Sequence, residues 1–273
     1  MKIFLMTDME GVAGIVGFDE WATREGNYYE LGKSLLTAEA NAAIEGFYAA
    51  GATEIVVVDG HGAGGIHPLQ LDDRVSYLRG PVPGPYPFLL DASFDAMAWV
   101  GQHAKAGTEE AHMAHTGWFD VKDMFINGRS VGEFGLMAMI GTLMNVQPIF
   151  GSGDEAFTRE ASDLVPGIET VSVKRGVMQG TGEACTTDQY RIRNDGAIHL
   201  HPHQARIRIR DGAERALNRF IRDRASFDKP EIISPYHYAI HYRQDGDVQP
   251  RIVEYEGEND LIALLNRALE EKK

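Results

Sequence analysis

Three short stretches of this chain carry residue types and spacings suited to binding metal. Asp8-Met9-Glu10, Asp59-Gly60-His61 and Gln102-His103 each follow an apolar run. In extended backbone, residues two apart share a face, so Asp8 and Glu10 point the same way. Neighbouring carboxylates repel, and one loses its charge unless a cation sits between them. An Asp-x-Glu splayed into water is the commoner outcome, and a lone histidine is usually only hydrogen-bonded. The coincidence of three such stretches at strand ends is what points to a site, because open parallel sheets bind at that edge.

Further residues are less decided. Ser130-Val131-Gly132-Glu133 reads as a capping box with Glu133 at its third helical position, and the same helix end can aim a carboxylate at a metal. His112 and His115 fall in a stretch read as a loop, where one of them is a candidate acid, base or nucleophile. His199, His201 and His203 form a His-Leu-His-Pro-His run with no local carboxylate or cysteine to close a site, and an exposed loop is expected. Arg206, Arg208 and Arg210 alternate with Ile207 and Ile209 and read as a solvated or ion-paired face. Gly60-His61-Gly62-Ala63-Gly64-Gly65 fits a dinucleotide-binding pattern. Pro68 opposes a helix there, and no acidic residue ends a second strand at the spacing a ribose needs.

The elements that must position these residues alternate. Lys2 to Met6, Glu54 to Val58, Ala96 to Gly101, Pro148 to Phe150 and Thr170 to Val173 read as strands. Leu31 to Ala50 and Leu136 to Met144 carry helical periodicity, and Asn127-Gly128 marks a type I′ hairpin. The expected class is α/β, a mostly parallel sheet flanked by helices with the metal site at its C-terminal strand edge. After a soft boundary near residue 176, an amphipathic stripe from Ile209 to Ile221, a strand from Arg251 to Tyr255 and a terminal helix through Leu269 suggest a smaller α+β subdomain. The expected units are thus residues 1–175 and 176–273.

The chain has 273 residues, 40 acidic and 26 basic, for a formal charge of −14. Such a polyanion disfavours nucleic acid and anionic membrane as partners. A single cysteine, Cys185, excludes an internal disulfide. The short apolar N-terminus ends in a carboxylate, and no run approaches the roughly 20 apolar residues of a membrane span. A cytoplasmic protein is expected.

The sequence resembles the D-aminopeptidase family of dinuclear zinc peptidases. The likeness runs in order through Thr7-Asp8-Met9-Glu10-Gly11, Leu36 to Gly46, Val58-Asp59-Gly60-His61-Gly62 and Gly101-Gln102-His103-Ala104-Lys105. It continues through Ala114-His115-Thr116, Asn127 to Glu133 and Gly151-Ser152-Gly153-Asp154, covering about residues 1 to 180. The resemblance implies that Asp8 bridges two zinc ions, that Glu10 and Glu133 bind one, and that His61 and His103 bind the other. It implies that His115 is the catalytic nucleophile, although a metal pair already supplies a hydroxide and proton transfer suits His115 better on chemical grounds. It further implies a short-peptide substrate, D-alanyl peptides foremost, and a ring-shaped homo-oligomer, a decamer of two stacked pentamers. Beyond residue 180 the likeness fades, and Tyr238, His241 and Tyr242 stand in a compact region of this chain.

Three carboxylate ligands balance most of the charge of two divalent ions, and Asp59 is expected to orient a ligating histidine. Manganese or cobalt suits a carboxylate-rich site as well as zinc. Two other classes share the residues: a bimetallic amidase or phosphoesterase, and a non-enzymatic ring-forming metal-binding protein.

Overall fold

The computed structural model describes residues 1–82 and 84–271. In chain order the elements are β1 Lys2–Thr7, α1 Phe18–Trp21, α2 Tyr29–Ala49, β2 Glu54–Asp59, β3 Ser76–Leu78 and β4 Ala96–Gln102. There follow β5 Val121–Ile126, β6 Arg129–Ser130, α3 Glu133–Leu143, β7 Gln147–Asp154, α4 Glu155–Leu164 and β8 Glu169–Gly176. The last are α5 Thr187–Arg193, β9 Ala197–His199, α6 Pro202–Arg222, β10 Tyr236–Tyr242, β11 Arg251–Glu258 and α7 Leu261–Glu271.

Seven strands form one sheet in the order β3-β2-β1-β4-β7-β8-β9, parallel throughout except for β9 against β8. A second, antiparallel sheet runs β11-β10-β5-β6. The large sheet is buried on both faces, as parallel sheets require. Side-chain alternation along β1 sends Ile3 and Leu5 into one core with α2 and α6, and Phe4 and Met6 into another with α3, α4 and α7. From β1 the chain passes to β2 on one side and reaches β4 on the other. The crevice between the C-terminal ends of β1 and β4 is therefore the switch point where parallel sheets place ligands.

All five expected strands and both expected N-terminal helices are present. Asn127 and Gly128 have φ of 49° and 77°, the two left-handed residues of a type I′ turn. The Gly60–Gly65 stretch opens no helix. Helix α4 is an element the periodicity reading passed over, although Asp154 caps it by accepting from Phe157 N at 2.9 Å. The His199–His203 loop is a correction. His199 ends β9, His201 is the N-cap of α6, and Pro202 opens that helix, where its missing N–H costs nothing. Arg206, Arg208 and Arg210 accordingly lie on α6 itself. Elements after residue 176 are built into both sheets. β9 pairs with β8, α6 lies against α2, and β10 pairs with β5. Among the described residues no helix is long and apolar enough to cross a membrane.

Candidate metal centre

Strands β2, β1 and β4 end side by side. Thr7 is in register with both Asp59 and Val100, so Asp8, His61 and His103 emerge at one edge of the sheet. Asp8 N donates to Val100 O at 2.9 Å and Gly11 N to Gly101 O at 2.7 Å, locking the two strand ends together. Gly101 has φ of +76°, and a Cβ there would lie 2.0 Å from the Asp8 carbonyl oxygen, so only glycine admits this approach.

The two oxygens of Asp8 are divided between two histidines. His61 Nδ1 lies 3.2 Å from Oδ1, and His103 Nε2 lies 3.2 Å from Oδ2. Each ring has its other nitrogen on a backbone carbonyl. His61 Nε2–H donates to Ala22 O at 2.7 Å, and His103 Nδ1–H donates to Ala104 O at 2.9 Å. A carbonyl only accepts, so these bonds fix both tautomers and aim the remaining nitrogens at Asp8. Gln102 Nε2 adds a bond to Asp8 Oδ2 at 3.2 Å.

Glu10 Oε2 lies 3.2 Å from His61 Nδ1, and Glu133 Oε2 lies 3.5 Å from His103 Nε2. Each outer carboxylate thus sits with one histidine, whereas the resemblance pairs the two glutamates on one ion and the two histidines on the other. Glu133 is a second correction. Gly132 is the N-cap of α3, Glu133 is its first residue, and no side chain caps the helix. Ser130 Oγ donates to Asp123 instead, and Glu133 Oε1 accepts from Gly117 N at 2.7 Å. The third correction is Asp59. It accepts from Gly65 N and Ile66 N and from the Tyr77 hydroxyl, and Ala22, not Asp59, holds His61.

Asp8, Glu10, His61 and His103 are all buried. Burial acts to raise the Asp8 pKa, but the close His103 and His61 rings outweigh it and hold the carboxyl well below its ordinary range. Burial acts to lower both histidines, but Glu10 and Asp8 lift His61, and Glu133 and Asp8 lift His103, well above the ordinary value. The carboxylates therefore call for positive charge, which protons supply here and cations can supply instead. Donor atoms of Asp8, Glu10 and His103 lie within 4.8 Å of one another, as do those of His103, His115 and Glu133. Glu10 Oε2 and His103 Nε2 are buried with no partner in hydrogen-bond geometry, so the donor set fits divalent ions.

His115 is buried beside this cluster, while His112 turns away and bonds Val16 O and Asp195 O. His115 Nδ1–H donates to Met113 O at 2.8 Å, leaving Nε2 with a lone pair 4.0 Å from Glu133 Oε1. Met113 holds the left-handed conformation, φ +52°, uncommon for a long side chain and a local strain beside the cluster. Sequence spacing gives no sign of the Met113, Ala22 and Ala104 carbonyls, because any residue provides one.

The cluster opens into a cavity of about 590 Å³. Leu136 and Met137 line it from α3, three and four residues beyond Glu133 and so on the same helix face. Tyr238, Ile240 and Tyr242 alternate along β10 and line another wall. A bulge at Lys122, where Asp123 and Val121 pair with the consecutive His241 and Tyr242, brings Val121 and Met124 to that wall too. The period-two tyrosines at 236, 238 and 242 were the readable signal for β10.

A D-aminopeptidase of Bacillus subtilis (strain 168) is 32% identical over 180 residues, and the chain spans 65% of that relative's length, with 65% of its own length matched. The solved structure of the zinc-dependent D-aminopeptidase DppA from Bacillus subtilis, described as a self-compartmentalizing protease, superposes with a TM-score of 0.83. It covers 100% of this chain and 97% of its own at 23% identity, a likeness of fold. The Peptidase M55 family model, that of the D-aminopeptidases, matches residues 1–250, and the chain belongs to this family.

Proposed function

We propose that the chain is a dinuclear zinc aminopeptidase that removes the N-terminal residue from short peptides, D-amino-acid peptides foremost. One observation carries the reading: Asp8 offers one oxygen to each of two histidines whose other nitrogens are already held by backbone carbonyls. Asp8, Glu10 and His61 would hold one ion, and Asp8, His103 and Glu133 the other. Zinc in such a site is a Lewis acid toward a peptide carbonyl and toward water. Two divalent ions would bring the formal charge from −14 to −10.

His115 moves the protons. Its Nε2 lone pair takes a proton from the attacking water and delivers it to the departing amine nitrogen as the carbon–nitrogen bond breaks. Met113 O keeps the Nδ1 proton in place throughout. Phe18 and Phe119 border the His115 ring, at 6.1 and 4.5 Å between centroids, and keep bulk water from it. Family membership extends the proposal to a cytoplasmic, ring-shaped homo-oligomer, a decamer, in keeping with the self-compartmentalizing description of DppA.

Purified protein loaded with zinc, manganese or cobalt should release D-alanine from D-Ala-D-Ala and leave phenyl phosphate intact, and should elute as a decamer in light scattering. Turnover of the phosphate ester alone would assign the site to phosphoesterases, and two bound ions without turnover of either would make it a binding protein.

A further inference from the structure

The cavity beside the metal-ligand cluster is large and apolar, well beyond what an alanine methyl group fills. Resting on the aminopeptidase reading above, we propose that this cavity is a side-chain chamber selecting a bulky apolar or aromatic residue at the cleaved N-terminus. Tyr238, Ile240, Leu136 and Met137 are the residues that set this preference.

Size is the first observation. At about 590 Å³, a space that also takes in the ligand cluster and the substrate backbone, the cavity falls among the roughly 300–1,000 Å³ sites that hold whole small molecules. A methyl side chain anchored at the ligand cluster would leave most of this apolar wall without contacts, and a void lined by apolar atoms forfeits their dispersion energy. A phenyl or indole ring would recover it.

The second observation is polarity. Apart from Asp8, Glu10, His61, His115 and Glu133 of the cluster, no ionisable acid, histidine, lysine or arginine lines the cavity among the described residues. The nearby loop cations are turned elsewhere. Arg24 donates to Ala63 O, and Arg79 donates to the carbonyls of His61 and Gly62. A charged substrate side chain would enter the chamber with no counter-ion, which buried charge does not tolerate.

Third, the walls come from separate, fixed elements. Tyr238 and Ile240 are buried on β10, the strand held between β5 and β11, and Leu136 and Met137 are buried on α3. Tyr86 closes another side and is tied to α7 through Asn266. The strand and helix walls of the cavity are therefore built into the fold, and the loop that carries Tyr86 is pinned to them.

The test uses zinc-loaded protein and four amides: alaninamide and phenylalaninamide, each as the D and L form, with ammonia release as the readout. These substrates carry no carboxylate, so only the side chain differs. We expect kcat/KM for phenylalaninamide to exceed that for alaninamide of the same hand by roughly tenfold or more. Ala268→Phe and Leu269→Trp narrow the chamber from α7, and each should cut that ratio at least tenfold. Leu269 is partly exposed, so its variant folds even if the buried Ala268 variant does not. Alaninamide cleaved as well as or better than phenylalaninamide would overturn the chamber while leaving the aminopeptidase reading standing. A ratio unchanged in the folded Leu269 variant would also overturn it. No turnover of any amide with two zinc ions bound would remove both.

Discussion

The imidazole of His115 lies flat on that of His103, with ring centroids 4.0 Å apart and planes within 15° of parallel. Two stacked rings do not both carry charge at this distance without strong repulsion. Burial lowers the His115 pKa, and the neighbouring positive charge of His103 lowers it further against the pull of Glu133 and Glu10. His115 is therefore the neutral base of the pair, with its Nδ1 proton on Met113 O.

A proton carrier and a metal ligand respond differently to removal. His115→Gln should lower kcat about 10²- to 10⁴-fold, the usual worth of general acid–base catalysis. Zinc per chain, measured by atomic absorption, should stay at the wild-type value. Loss of zinc in this variant would move His115 into the ligand set, and an acyl-imidazole trapped by rapid quench would make it a nucleophile.

Removing a ligand should separate metal binding from folding. Glu10→Gln and His103→Ala each take one donor from the cluster, and both should lose zinc and most activity. The metal-free fold should change little, since Glu10→Gln deletes a charge from a site crowded with carboxylates. Circular dichroism with chelator present gives the fold, and metal analysis gives occupancy. Full zinc and full activity in either variant would count decisively against the site.

Much of this arrangement was legible in the sequence, and the reasons are physical. Strand ends are marked by apolar runs giving way to Asp8, Asp59 and Gln102, so the edge on which Asp8, His61 and His103 meet follows from parallel pairing alone. The pairing of carboxylates with histidines was not legible. It depends on where the Ala22 and Ala104 carbonyls fall, and a backbone oxygen leaves no trace in residue identity. Glu133 deceived in another way. The Ser-x-x-Glu pattern is satisfied locally, yet tertiary partners, Asp123 for Ser130 and Gly117 for Glu133, took both side chains. Asp59 likewise found three donors in its own loop and chain neighbourhood.

A buried carboxylate away from the cluster should make stability fall as pH rises. Glu39 on α2 accepts from Ala13 N at 3.0 Å, and its other oxygen is buried without a hydrogen-bond partner. Burial pushes its pKa up to about 8, against the opposing pull of the Ala13 bond, Lys174 and Arg206. The folded state thus favours the protonated form. That contribution is complete below the ordinary carboxylate range, near pH 4.5, and is lost as pH rises through about 8. Glu39→Gln keeps an acceptor for Ala13 and has nothing to ionise. Its stability relative to the parent, from urea unfolding, should improve by about 2–4 kcal/mol between pH 4.5 and pH 8.5. A difference that does not change with pH would refute the assignment.

The chamber loop should depend on one side chain of the terminal helix. Asn266 on α7 accepts from Tyr86 N at 3.1 Å and donates to Tyr86 O at 2.9 Å, clamping one residue from both sides. Two and three residues further on, Phe88 and Leu89 have φ of 56° and 62°. Side chains with a Cβ hold that conformation at a cost of about 1–2 kcal/mol each, and only where their surroundings enforce it. Asn266→Ala removes both bonds and lets Phe88 and Leu89 relax. We expect a loss of about 1–3 kcal/mol in stability, with cleavage by an added protease appearing between residues 79 and 90. KM for phenylalaninamide should rise, because Tyr86 and Phe88 line the chamber, while zinc per chain stays constant because α7 supplies no ligand. Unaltered protease resistance and unaltered KM together would show that the loop is held by its own packing and not by Asn266.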